Sequence, residues 1–92
     1  MKEVKLVELR SMLMEHTIDL MTSEDYKERF KAEYYQTKIR FERLYDMCVK
    51  YEAGTLGFEP TCSLDLLNDQ LVAMSEYLKC LGIRAQIEGV AL

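Results

Sequence analysis

Ninety-two residues with 49% hydrophobic content and a net charge of -4 describe one domain with a thin core of its own, because so short a chain buries a limited share of its unfolded surface. The acidic balance argues against nonspecific binding to DNA, which rests on summed positive charge, and no apolar run approaches the ~18 residues of a membrane span. Met1 to Met21 is interrupted by Glu3, Glu8, Arg10, Glu15 and Asp19, so it lacks the uncharged core of a signal peptide, and three cysteines without a CxxC pair read as reduced, buried thiols.

In chain order, residues 1–21 are expected to form an N-terminal helical segment. Leu6, Leu9 and Leu13 recur at helical spacing and predict a short helix over Lys2 to Glu15, interrupted at His16-Thr17 and again at Met21 to Ser23. Thr22 or Ser23 is then the expected N-cap of a long helix over 23–53, with Glu24 and Asp25 favourable beside its positive end. Along it Phe30, Tyr34, Phe41, Leu44, Cys48 and Tyr51 recur in steps of three and four, with Thr37 the polar interruption. Gly54 can take the left-handed conformation that ends helices. Residues 54–62 form a loop with two glycines and the sole proline, in which Leu56 and Phe58 are expected to tuck over the tip. A second hairpin helix follows over 63–88, ended by Gly89. It carries Leu64, Leu67, Leu71, Met74, Leu78, Leu81 and Ala85 on one face. Two such stripes joined by a short loop bury each other, so the expected fold is all-α: a short N-terminal helix followed by a long antiparallel helical hairpin. Apolar groups off the stripes, among them Tyr26, Tyr35, Ile39, Tyr45, Leu66, Val72, Tyr77 and Ile87, exceed what two helices cover. Some must pack under the N-terminal segment, and the remainder predicts a homo-oligomer.

No catalytic pattern is present. Gly54 and Gly57 fit neither GxxxxGK nor GxGxxG, the lone His16 has no ligand-spaced neighbour, and the acidic pair Glu24-Asp25 suits a helix start. The chain is therefore not read as an enzyme, and no cofactor or metal is expected. Charge is unevenly spread: Lys27 to Lys50 holds seven bases against four acids, a local +3, which leaves -7 for the rest. Within it Tyr34, Tyr35, Lys38, Arg40, Phe41, Arg43 and Tyr45 alternate cations with rings, a mixture able to hold phosphate and stack on bases. The alternative is a solvated helix face whose bases pair with Glu33, Glu42 and Asp46, and composition alone favours that alternative.

Two resemblances shift the balance. The stretch from Lys50 to Gln70, KYEAGTLGFEPTCSLDLLNDQ, and the MSEYLKCLGIRAQIEGVAL that follows resemble small hairpin proteins of gut bacteriophages, the crAss-type hairpin family. The opening Tyr26-Lys27-x-Arg29 of the long helix, and Gln70-x3-Met74-x2-Tyr77-x3-Leu81-x2-Arg84 in the last, resemble the phage anti-CBASS cyclic-oligonucleotide sponges, whose hairpin is shared with some Thoeris anti-defence sponges. That resemblance implies a homo-oligomer, with a hexamer as one form, in the cytoplasm of the infected bacterial host. It would sequester, without cleaving, a cyclic oligonucleotide or a cyclic ADP-ribose-type (gcADPR) messenger between protomers. It implies a ligand site drawn from Tyr26, which would stack on a base, Lys27, Arg29, Arg40 in the place of the family's pocket lysine, Tyr77, and Arg84 as a second anion site. A protein–protein interaction module or protein inhibitor built on the same hairpin is the rival reading.

Overall fold

The computed structural model describes residues 14–92, and among these the chain is all-helical, with three helices and no strand. They are α1 (14–21), α2 (Tyr26–Ala53) and α3 (Leu64–Glu88). The leucine spacing of Leu6, Leu9 and Leu13 lies outside the described residues. The expected break at His16-Thr17 does not occur, because α1 runs through both. Thr17 is accommodated there because its hydroxyl donates to the Met14 carbonyl at 2.6 Å and accepts from Gln36 Nε2 at 3.2 Å, which leaves a buried polar side chain fully partnered.

Hydrogen-bond competition moves the start of α2. Thr22 is spent on closing α1, its hydroxyl and its N–H both donating to the Ile18 carbonyl. Ser23 Oγ accepts from the N–H of Asp25. The N-cap is consequently Asp25, rather than Thr22 or Ser23, and its carboxylate accepts from the Lys27 N–H at 3.0 Å. At the other end Gly54 takes a φ of 76°, and the N–H of Thr55 reaches back to the Lys50 carbonyl at 2.9 Å. Ser63 Oγ caps α3 by accepting from Leu66 N–H at 3.2 Å.

Helices α2 and α3 pack on one another. Every residue of the two stripes, Phe30 through Tyr51 and Leu64 through Ala85, is buried or half-buried. A core cluster lies where the first turns of α2 meet the last turns of α3: Phe30, Leu81, Ala85 and Val90 form it, with Tyr34 against it. Val90 belongs there because α3 ends in a glycine motif. Gly89 takes a φ of 71°, the Val90 N–H bonds the Ala85 carbonyl at 2.9 Å, and the two apolar side chains meet inside the turn. On α2 a second stripe of Ala32, Gln36 and Ile39 is turned toward α1, where Gln36 bonds Thr17; Ala32 and Ile39 are both buried.

A 28-residue helix spans about 42 Å, and it sets the 44 × 30 × 22 Å dimensions of the molecule. The radius of gyration, 15.2 Å, exceeds the about 12 Å of a compact chain of this length. Two further expectations are corrected. Phe58 does not tuck over the loop but stands 60% exposed. Of the thiols only Cys48 is buried, while Cys62 and Cys80 are exposed.

Candidate functional site

Above the Phe30–Leu81–Ala85–Val90 core, three polar side chains close a ring between the two helices. Tyr26, the first residue of α2, donates its hydroxyl to Glu88 Oε1 at 2.8 Å. Arg84 donates from Nη2 to the Tyr26 oxygen at 2.7 Å and from Nε to Glu88 Oε2 at 2.9 Å. The Arg84 and Glu88 pairing follows from their spacing of four along α3. Beneath, the Arg84 guanidinium lies 5.1 Å from the Phe30 ring centroid, and Tyr26 meets Phe30 edge-on at 6.3 Å. The guanidinium thus rests on a buried ring that fixes its height, a geometry in which its charge is attracted to the π face.

The ring's electrostatics follow from these bonds. Hydrogen bonds from Tyr26 and Arg84 stabilise the ionised carboxylate and hold the Glu88 carboxyl below the usual range. The bond to Glu88 ties up the Tyr26 proton and pushes the phenol upward. The bond to Glu88 likewise pushes the guanidinium of Arg84 up, keeping it charged.

Lys27 stands at the same end, its Nζ donating to the Gly89 carbonyl at 3.2 Å. Helix α3 has no basic residue in its last turn, so its negative end is met by a cation from the neighbouring helix. Tyr26, Lys27 and Arg84 therefore share one end of the molecule. Arg29 serves the connection before α2, with Nη1 on the Ser23 carbonyl at 2.8 Å. Arg40 lies exposed on α2, fourteen residues beyond Tyr26 and so about 21 Å along the axis. Tyr77, 42% exposed, sits on the Arg84 face of α3 but about 10 Å further along it. One chain does not bring Arg40 or Tyr77 to the Tyr26–Arg84 ring.

Sequence reasoning missed Glu88 and the role of Phe30. The Arg84–Glu88 spacing was a visible signal; the partnership of both with Tyr26, 62 residues from Glu88, depends on how the helices pair. The cation–ring alternation also resolves into local contacts: Tyr34 and Tyr35 meet edge-on at 5.3 Å, Lys38 Nζ lies 6.0 Å from the Tyr34 ring centre, and Phe41 stacks on Tyr45 at 6.2 Å. Phe41 and Tyr45 with Leu71 and Val72 line an open groove of about 550 Å³ between α2 and α3. Among the described residues no cluster of His, Cys, Asp or Glu could hold a metal ion, and no helix is long and apolar enough to cross a membrane.

Compared with known proteins, the chain matches the Sequestin family over residues 24–87. The matched span contains Tyr26, Lys27, Arg29, Arg40, Tyr77 and Arg84 and stops one residue before Glu88. Neither a curated protein nor a solved structure matches the chain.

Proposed function

The chain belongs to the Sequestin family, and from that premise we propose that it is a phage immune-evasion sponge. It sequesters, without cleaving, a cyclic nucleotide or cyclic ADP-ribose-type second messenger of bacterial anti-phage defence, in the cytoplasm of the infected host. The family name fits a sequestering, non-catalytic role and agrees with the sponge resemblance of the Tyr26 and Gln70-to-Arg84 patterns. The crAss-type resemblance of Lys50 to Gln70 rests on sequence pattern alone.

The observation that carries the proposal is the Tyr26–Arg84 pair at the shared end of α2 and α3. Tyr26 is 48% exposed while its hydroxyl is tethered, so the ring is held in one orientation for stacking on a base. Arg84 presents a fork suited to phosphate oxygens, and Lys27 adds a second cation beside it. Rigid helices hold the three at fixed separations, which lowers the ordering cost of binding.

In this reading the helices form an antiparallel hairpin that assembles into a homo-oligomer, and a neighbouring protomer closes the pocket. Leu66, Val72, Tyr77, Ile83 and Ile87 on α3 are large and exposed, more apolar surface than a small monomer usually presents. Assembly would cover them and carry Arg40 and Tyr77 toward another chain's Tyr26–Arg84 end.

The test is to incubate the purified protein with a panel of cyclic di- and trinucleotides and gcADPR, measure thermal shifts, and recover ligand after heat denaturation. A shift with intact ligand returned is expected, and a flat response across the panel would remove the sponge reading. The second reading, a protein–protein interaction module, is favoured by the Phe41–Tyr45–Leu71–Val72 groove; it predicts the flat response.

A further inference from the structure

We infer that Glu88 is a built-in anionic occupant of the Tyr26–Arg84 site, and that a phosphate-bearing ligand binds there by displacing its carboxylate. The inference rests on the reading of Tyr26 and Arg84 as a ligand site and adds to it a residue that regulates access.

The geometry is that of an anion already bound. One carboxylate oxygen accepts from the Tyr26 hydroxyl at 2.8 Å and the other from Arg84 Nε at 2.9 Å. Two oxygens of a phosphate can take the same two donors at the same distances, since carboxylate and phosphate are both read by arginine forks. Nothing bonds the Glu88 carboxylate from elsewhere in the described structure except these two groups. It is the last residue of α3, next to the left-handed Gly89, and its side chain is 31% exposed, so rotation into solvent needs no repacking of the core. Glu88 also sits at the negative end of the α3 dipole, a field that acts on an incoming phosphate as on the carboxylate and so leaves the choice between them to the donors around the site. It is retained there by Arg84 and Tyr26 alone, with Lys27 Nζ one residue further on at the Gly89 carbonyl. Removing the carboxylate leaves two cations and a phenol at one exposed end with their internal anion gone.

The probe is inorganic pyrophosphate, titrated calorimetrically into the full-length protein and into Glu88→Gln, Glu88→Ala, the double variant Arg84→Ala/Glu88→Gln, and Glu59→Gln. The last removes an equal charge from the loop at the opposite end of the helices. Circular dichroism verifies that each variant is helical. The expected result is pyrophosphate binding at least about fivefold tighter in both Glu88 variants than in wild type, with the gain absent from Glu59→Gln and lost when Arg84 is also removed. No gain on changing Glu88, an equal gain in Glu59→Gln, or a gain that survives loss of Arg84 would each overturn the inference. Running the cyclic-nucleotide panel on wild type and Glu88→Gln separates the two readings. A panel that stays flat while the pyrophosphate gain appears rejects the messenger and keeps the internal anion; a panel that responds without any gain at Glu88 does the reverse.

Discussion

Arg84 donates to the hydroxyl of Tyr26 at 2.7 Å although 58 residues separate them. The bond crosses from the end of α3 to the start of α2, and Glu88 completes it on both sides. A tyrosine ring whose oxygen is fixed in this way can present its face to a ligand without first being ordered, and most of what is expected of the protein follows from that.

Loss of the Tyr26 ring should remove ligand binding, and loss of its hydroxyl should weaken it. Tyr26→Ala is expected to abolish the messenger-induced thermal shift while sedimentation still finds the assembled protein, whereas Tyr26→Phe, which keeps the ring but loses the tether to Glu88 and Arg84 and one phosphate donor, retains only part of the shift. Arg40→Ala should also abolish it if, as proposed, a neighbouring chain closes the pocket. Unchanged binding in both Tyr26→Ala and Arg40→Ala refutes the pocket as drawn.

Stability should depend on the core under the site. Leu81 is 1% exposed and touches the Phe30–Ala85–Val90 cluster, so Leu81→Ala is expected to cost about 2–5 kcal/mol. Urea unfolding at a fixed protein concentration measures it, and a cost near that of a surface substitution would mean that this cluster is not the core.

The ring gives stability a pH dependence of defined sign. The Glu88 carboxyl is lowered by its bonds to Tyr26 and Arg84, so the folded state favours its ionised form. Its contribution is present above the unfolded value and is lost as pH falls through the folded one. Tyr26 is raised, chiefly by its bond to Glu88, so its contribution is present below its usual value of 10.0 and fades as pH rises beyond it. Thermal melts of wild type should therefore drop more steeply than those of Glu88→Gln below about pH 4, with parallel curves between about pH 6 and about pH 8. Parallel curves at acid pH as well would show that Glu88 titrates alike in both states.

The thiols report on assembly. Cys48 is buried, and desolvation together with the nearby Glu52 raises its thiol, so it should react slowly with a thiolate-trapping reagent. Cys62, in the loop, and Cys80, on the outer face of α3, are exposed. If protomers meet through the apolar face of α3, Cys80 becomes protected as protein concentration rises while Cys62 keeps its rate. Equal rates for both at every concentration would place the interface elsewhere.

What local chemistry makes legible in this chain differs from what pairing decides. Steps of three and four from Leu67 to Ala85 mark a buried face because helical periodicity is a property of the segment itself, and a serine or glycine at a helix end carries its meaning within four residues. The N-cap of α2 was harder: Thr22, Ser23 and Asp25 can all accept from a free N–H, and the outcome turned on Thr22 being drawn back to the Ile18 carbonyl. Phe58 is not legible in this way, because an apolar loop residue buries only if the turn aims it inward, and Phe58 stands exposed. Glu88 was overlooked because its bond to Tyr26 depends on which turn of α3 faces which turn of α2, and periodicity fixes the facing stripes but not their offset.

The position of the core cluster also sets when the Tyr26–Arg84–Glu88 ring can exist. Phe30 and Leu81 come together only after the whole loop between them has closed, and the entropy of closure grows with the length of that loop. The turn around Gly54 closes over a few residues but carries an exposed Phe58 and none of the core cluster. The contact that seals the far end therefore carries a larger closure cost than any contact within one helix. During synthesis, a chain that has emerged only through α2 holds Tyr26 and Phe30 with neither Arg84 nor Leu81 to meet them, so the Tyr26–Arg84–Glu88 ring can form only when the last turns of α3 have joined the fold.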